Sequence, residues 1–404
     1  MRSVFWQNLR YYLLIALAIV IIIAFHPYII NLGKSAGLQT GNILSPYISL
    51  LFVALFAVSI NVKSMLTSDV VKHLLVIFIF IVVAHLAAFS FFDESSMFSE
   101  IRAIGMCLIA IMIGWQLNLN EKRLHSFFII FSILSLFIGL IQVTQNIGGF
   151  RILDHYQVEG KNTFGVILAS SSVILFFLGL NGIQKKGMKV LWLSLAILAL
   201  VILLTIRARA CTVAAMLLFL YVLFQRYKGS DFIFYIIIFI FLAVILYLIM
   251  PASVGEYVMN SFFQNQEEDV TSGRTGRNAL GWAFFLRHFW FGNLTEGLYL
   301  EWIHNFIIDK LYKYGFVFSF PILWMYFSLL IRITIRTIRC NNRNNYNIGY
   351  FVVLIPFVVS MAEPTMPFGP GTGTILSFLL FGVSLRNSFN EKHGLVMSAN
   401  WGRS

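Results

Sequence analysis

Two pairs of arginines carry the strongest chemical pattern in this sequence, Arg207 with Arg209 and Arg274 with Arg277. The guanidinium group stays charged at neutral pH and presents a planar fork of donors, which suits bidentate contacts with phosphate oxygens. Two such segments can clamp a diphosphate and stabilise the negative charge that develops as it leaves. The alternatives are that Arg207 and Arg209 extend to lipid headgroups and that Arg277 pairs with the acidic run 267–269.

His304, which Asn305 follows, ends the polar stretch that contains the second arginine pair. An imidazole with an ordinary pKa of about 6.5 can accept a proton from an attacking sugar hydroxyl. A structural histidine at the membrane interface is the alternative. The sequence has no DxD, HExxH or CxxC pattern, so we expect no metal ion, no disulfide framework and no other cofactor.

The composition predicts that these residues belong to a membrane protein. Of 404 residues, 59% are hydrophobic and 11% are charged, against about 45–50% and 25% in soluble domains. A net charge of +12 would suggest nucleic acid in a soluble chain, but membrane proteins gather Lys and Arg in cytoplasmic loops. We therefore expect an all-α polytopic membrane protein that does not bind nucleic acid. Arg2 and Arg10 flank the start of the first apolar run, which we expect to be a retained helix.

The elements that position the candidate residues follow from hydropathy. Because a spanning helix needs about 20 mostly apolar residues, we predict about twelve spans. They are 11–30, 44–60, 72–92, 101–118, 124–145, 164–182, 189–206, 210–225, 231–250, 316–335, 347–363 and 371–386. The distribution of Lys and Arg places both termini in the cytoplasm. We expect 1–404 to form one integral membrane domain, with 251–305 as a large extracytoplasmic loop between the ninth and tenth spans.

Two more outer segments are expected to lie over the same face of the helix bundle, since consecutive elements are usually neighbours. One is the loop 146–162, which ends with Lys161 and Asn162. The other is the turn 364–373, which is rich in Pro and Gly and follows Glu363. The three outer segments together would form the candidate site.

The sequence resembles the family of O-antigen ligases and Wzy-type polymerases of bacterial surface polysaccharide assembly. Four segments carry the resemblance, in the family's order: GKNTFG at 160–165, TIRARA at 205–210, SGR at 272–274 with Trp282 and Gly292, and HN at 304–305 with Gly315. The similarity covers about 139–315. Arg207 stands where many members have a small or hydroxyl residue, so the family's arginine corresponds to Arg209, and Arg277 is not a motif position.

The resemblance implies a metal-independent glycosyltransferase of the membrane-embedded GT-C type in the bacterial inner membrane. An acceptor hydroxyl would attack the anomeric carbon of an undecaprenyl-diphosphate-linked oligosaccharide, and the lipid diphosphate would leave. With the residue types, it predicts that Arg209, Arg274 and His304 are catalytic and that Arg207, Arg277, Lys161, Asn162 and Asn305 bind substrate.

The acceptor separates the two activities of the family. A polymerase uses a second lipid-linked repeat unit and a ligase uses lipid A-core. The GKNTFG segment is more similar to the polymerases, so we expect a polymerase, with the ligase as the alternative. The resemblance also implies membrane lipids, a flippase and a chain-length regulator as partners.

Two functions of other classes stay open. A flippase or transporter of lipid-linked oligosaccharides would place ionisable residues along several helices near mid-bilayer, whereas the predicted spans are almost purely apolar. A scaffolding membrane protein would not depend on the arginines.

Overall fold

The computed structural model describes residues 2–36, 43–92, 96–145, 160–180, 185–227, 274–295, 303–340, 344–369 and 372–392, with single positions between 229 and 237. Most of the predicted ninth span, 231–250, lies outside the described residues. So do the loop residues 146–159 and the acidic run 267–269, together with Ser272 and Gly273 of the SGR motif.

The described residues form helices and connecting turns, with no strand among them, which confirms the all-α prediction. The helices are α1 (Arg2–Ile23), α2 (Pro27–Ser35), α3 (Ser45–Ser59), α4 (Val62–Met65), α5 (Asp69–Phe92), α6 (Ser96–Gln116), α7 (Glu121–Gln145), α8 (Lys161–Leu180), α9 (Lys186–Thr205), α10 (Arg209–Arg226), α11 (Arg274–Arg287), α12 (Phe306–Arg339), α13 (Ile348–Val352), α14 (Leu354–Val359) and α15 (Thr372–Lys392). Short 3-10 turns occupy Gly292–Thr295 and Asn345–Asn347.

Eight of the described helices are long and apolar enough to cross a membrane, so the chain is a multi-pass membrane protein. They are α1, α5, α6, α7, α8, α9, α10 and α12. The predicted span 44–60 corresponds to a shorter helix, Ser45–Ser59, and 347–363 is divided between α13 and α14. The count of twelve and the orientation of the termini stay predictions.

Helix α8 lies at the centre of the described helix bundle. It packs against α7, α9, α10 and α15. Of the residues in its most apolar 18-residue stretch, 94% are buried. The hydroxyls of Ser170, Ser171 and Ser172 donate to carbonyls three or four residues earlier, at 2.7–3.0 Å. These polar groups are therefore satisfied inside the helix, as buried hydroxyls must be. The first residues of α8, which belong to the candidate site, are therefore held in place by a closely packed helix.

Helix α12 begins at Phe306, whereas the sequence predicts a span that begins at 316. Asn305 caps it, because its Oδ1 accepts a hydrogen bond from Ile308 N at 3.2 Å. The helix is broken at Gly315, which has φ 61° and ψ −172°, and then continues through Pro321. Residues 306–315 lie between the predicted loop, which ends at 305, and the predicted span, and their charged residues Asp309, Lys310 and Lys313 form ion pairs in the structure.

Candidate functional site

Residues from each of the four segments begin or cap a helix. Lys161 and Asn162 begin α8, Arg209 begins α10, Arg274 begins α11, and Asn305 caps α12. The free N–H groups of a helix start are equivalent to about half a positive charge and favour acidic neighbours, so a basic residue there is unfavourable for the isolated helix. Helix starts are also ready-made anion sites. A basic residue begins three of these helices, and a bound anion would offset this unfavourable charge.

The starts of α8 and α10 are in direct contact. A Cβ atom added to Gly165 would lie 2.8 Å from Cys211 Sγ and 2.9 Å from Ala208 Cβ, so only glycine fits between the two helices. Cys211 Sγ donates to the carbonyl oxygen of Asn162 at 3.5 Å. The GKNTFG segment and the arginine turn thus form one packed unit, which holds Asn162 and Arg209 at the same end of the bundle.

Arg207 has a left-handed backbone, with φ 56°. Ala208 N donates to Leu203 O and Arg207 N donates to Leu204 O, each at 3.0 Å, which is the Schellman pattern at the end of α9. Glycine is usual at this position, because a residue with a Cβ atom costs about 1–2 kcal/mol there. A strained residue of this kind often marks a functional position. The half-buried Arg207 is therefore a stronger candidate than its mismatch to the family motif implied.

The turn that precedes α15, which the sequence predicts to be extracytoplasmic, lies against the same end of α8. Asn162 Nδ2 donates to Glu363 Oε1 at 2.6 Å, and a Cβ atom on Gly373 would lie 2.7 Å from the carbonyl oxygen of Thr163. Glu363 was not among the predicted site residues. Its one sequence signal is an acidic residue just before Pro364, in an otherwise apolar part of the chain.

The His304–Asn305 segment is held from two sides. His304 N donates to Asn278 Oδ1 of α11 at 3.0 Å. On the other side, Asn305 Nδ2 donates to Met361 O at 3.3 Å and Phe306 N donates to Ser360 O at 3.0 Å. His304 is half-buried, and its ring Nδ1 is shielded from solvent.

Two glycines that belong to different motifs of the resemblance meet backbone to backbone. Gly292 and Gly315 have φ values of 58° and 61°, and a Cβ atom on either one would collide with the backbone of the other. Two hydrogen bonds join the same segments, Phe316 N to Phe289 O at 2.7 Å and Val317 N to Trp290 O at 3.1 Å. The segment that follows α11 is therefore fixed to α12, which carries the HN motif at its start.

The predicted clamp of two arginine pairs is described only in part. The side chain of Arg274 lies outside the described atoms, although its backbone begins α11. Arg277 is exposed, and no carboxylate of the described residues lies within 4 Å of it. Its predicted partners in 267–269 are outside the described part of the chain. Joint action of the two arginine pairs stays a prediction.

A buried group of charges that the sequence analysis did not identify lies beneath the HN segment. Lys310 Nζ bonds Glu100 Oε1 and lies 3.0 Å from Asp309 Oδ2, and Lys313 Nζ lies 2.9 Å from Asp309 Oδ1. The Lys310 and Asp309 side chains are only 2% and 5% exposed. Because buried charges are tolerated only when paired, this group fixes the start of α6 to the start of α12. The Lys310 ammonium also lies 5.2 Å from the ring centre of Phe306.

The described residues define a multi-pass helical membrane protein with a polar, cation-rich cluster of helix N-termini at one end. A scan against protein-family models finds no match for the chain. A search of curated proteins finds no relative either. The resemblance to the O-antigen ligase and polymerase family therefore rests on the four segments alone. In the structure the starts of α8 and α10 are in contact, and residues 360–363 bond to the starts of both α8 and α12.

Proposed function

We propose that the protein is a polysaccharide polymerase of the GT-C type at the outer face of the bacterial inner membrane. It transfers an undecaprenyl-diphosphate-linked oligosaccharide to a sugar hydroxyl of a second lipid-linked repeat unit. One observation carries the proposal: residues 360–363 bond to Asn162 at the start of α8 and to Asn305 at the start of α12, while α8 packs against the start of α10 and His304 bonds to α11. Positive helix ends with Arg207 and Arg209 suit a diphosphate, and the resemblance supplies the sugar chemistry.

In the proposed reaction the diphosphate of the donor lies at the start of α10. Arg207 and Arg209 bind the diphosphate oxygens. Arg274, which begins α11 within the predicted loop 251–305, binds the same diphosphate. The acceptor oxygen bonds to the anomeric carbon while the bond from that carbon to the diphosphate oxygen breaks. The arginines stabilise the negative charge that grows on the departing diphosphate, which is the largest contribution expected of such a site.

The acceptor hydroxyl must lose a proton in this step, and two described residues can accept it. His304 is the first candidate, since an imidazole is half-protonated near neutral pH. Glu363 is the second, because Asn162 holds its carboxylate within the same cluster, at 2.6 Å. His304→Gln and Glu363→Gln separate the two. Loss of the true base should remove the acid limb of the pH–rate profile, whereas loss of a positioning residue should lower the rate at every pH.

The buried charges Glu100, Asp309 and Lys310 bear on the transporter alternative. A transporter is expected to place ionisable residues near the middle of its spans. Here the charged residues lie within the first two turns of α6 and α12, near one end of each helix. Their position supports a structural role under the site rather than a transport pathway.

The test is an assay of the purified protein with undecaprenyl-diphosphate repeat units, with and without lipid A-core, in EDTA, read on a gel. We expect a ladder of products without lipid A-core. Products that form only with lipid A-core would make the protein a ligase instead. No product under either condition would overturn the proposed transferase activity.

Variants test the residues in the same assay. Arg209→Ala and Arg274→Ala should each lower the rate by about a hundredfold or more, the usual effect of removing one charge-stabilising donor. Arg274→Lys should also be slow if the contact is bidentate. Arg287→Ala is the matched control, because it removes the same charge from the opposite end of α11. An equal effect of Arg274→Ala and Arg287→Ala would remove Arg274 from the site.

A further inference from the structure

A second cation-rich feature lies at the opposite end of α12 from Asn305. Here a cavity of about 700 Å³ is lined by three arginines of that helix, Arg332, Arg336 and Arg339. Their spacing of four and three residues places them on one helix face. This is the end of the bundle that the sequence predicts to face the cytoplasm.

The arginines of this cavity have no acidic partner among the described residues, since no carboxylate there lies within 4 Å of their guanidinium groups. Glu391 also lines the cavity, but it accepts hydrogen bonds from Asn344 Nδ2 at 3.1 Å and Asn387 Nδ2 at 2.8 Å. Tyr350 and Ser388 add hydroxyl groups to the wall. The cavity is therefore positively charged and rich in hydrogen-bond donors.

An apolar face runs beside the three arginines. Ile331, Ile335 and Ile338 each precede one arginine of the cavity, and their exposed fractions are 56%, 41% and 61%. Their spacing repeats that of the arginines, so the isoleucines form a neighbouring stripe along the end of α12. In a membrane-spanning helix such an exposed stripe contacts acyl chains.

We propose that this cavity binds the phosphate-bearing headgroup of an anionic phospholipid, with its acyl chains along the isoleucine stripe. Guanidinium groups bind phosphate oxygens in bidentate geometry, and basic pockets between helices at the cytoplasmic side are suited to anionic headgroups. Membrane topology alone requires positive charge on this side. It does not require three arginines around one cavity with a stripe of exposed isoleucines beside them.

The test is native mass spectrometry of the detergent-purified chain titrated with phosphatidylglycerol, phosphatidylcholine or inorganic pyrophosphate. We expect phosphatidylglycerol to bind more tightly than the other two. The triple variant Arg332→Ala, Arg336→Ala, Arg339→Ala should weaken phosphatidylglycerol by about a hundredfold, from roughly fivefold for each basic residue near an anionic lipid. The matched control replaces Lys185, Lys186 and Lys189 by alanine, which removes the same charge from the same predicted side.

Removing three positive charges could also change how the protein inserts into the membrane. A variant that keeps the charge separates this effect from loss of the lipid site. Changing the three arginines to lysine retains both the charge that sets the topology and the attraction of each basic residue for an anionic lipid. It loses only the bidentate contact, so phosphatidylglycerol should bind with an affinity between those of the wild type and the alanine variant. If the triple alanine variant of the arginines and the triple alanine variant of Lys185, Lys186 and Lys189 bind phosphatidylglycerol equally tightly, the cavity is not the lipid site. Equal binding of phosphatidylglycerol and phosphatidylcholine would also overturn the site, and tighter binding of pyrophosphate than of phosphatidylglycerol would overturn the assignment to a lipid.

Discussion

Replacing Arg207 by glycine and by alanine separates the backbone of this residue from its charge. Both variants lose the guanidinium group and every contact that it makes, so they differ only at Cβ. With φ at 56°, the alanine variant keeps a left-handed penalty of about 1–2 kcal/mol. Glycine has no such penalty, but its greater freedom in the unfolded chain lowers the stability of the folded protein by about 0.4–1 kcal/mol. The glycine variant should be more stable than the alanine variant by roughly 0.5–1 kcal/mol.

Lys189, within α9, provides a matched comparison of the opposite sign. It lies in the helix that the turn at Arg207 ends, and glycine in a helix is about 0.8–1.0 kcal/mol less favourable than alanine. Lys189→Gly should therefore be less stable than Lys189→Ala. The glycine variant is thus expected to be more stable than the alanine variant at position 207 and less stable than the alanine variant at position 189. A general effect of glycine on SDS unfolding would shift both differences in the same direction.

Unfolding by SDS in mixed micelles measures the two stability differences, and the gel assay measures transfer in the same preparations. If the arginine is retained for its charge, Arg207→Gly and Arg207→Ala should lose transfer to the same extent although they differ in stability. A glycine variant that is no more stable than the alanine variant would refute the left-handed turn. Transfer at the wild-type rate in both would refute a role for Arg207 in the site.

Three further predictions concern contacts around the cluster. Lys310→Met should destabilise the fold by about 3–5 kcal/mol, because it leaves buried carboxylates short of a partner, and adding Glu100→Met should restore much of the loss in SDS unfolding; no recovery would contradict the pairing. Gly315→Ala should cost at least about 1–3 kcal/mol from its left-handed φ alone, whereas Gly187→Ala within α9, whose new Cβ meets nothing within 4 Å, should raise the midpoint slightly because alanine is the better helix former. Asn162→Asp places a carboxylate against Glu363 and should slow the proposed transfer on the gel; an unchanged ladder would argue against a role for that contact in the proposed reaction.

Hydropathy could predict the helices because the run of apolar residues is a local property of the chain. The predicted spans 164–182, 189–206 and 210–225 differ from α8, α9 and α10 by only a few residues at each end. The arginine turn was visible for the same reason, since two charges interrupt a long apolar run at Arg207 and Arg209.

Long-range pairing could not be predicted from local patterns. Lys310 bonds Glu100 across 210 residues, and Asn162 bonds Glu363 across 201. Asn162 belongs to a predicted motif and Lys310 follows Asp309 in the sequence, but no periodicity indicates which distant residue either one meets. The start of α12 at Phe306 agrees with the predicted end of the loop at 305, whereas residues 306–315 stayed outside the predicted span because Asp309, Lys310 and Lys313 lower their hydropathy.

The contact between Gly292 and Gly315 has a consequence for how this protein can diversify. The chain after α11 is joined to α12 through main-chain atoms, at Phe289 and Phe316 among others, so the joint does not depend on which side chains α11 displays outward. The exposed surface of that helix is free to acquire new residues without moving its first residue, Arg274. Sequence changes can therefore accumulate on the exposed surface of α11 while the attachment of the segment that follows it stays constant.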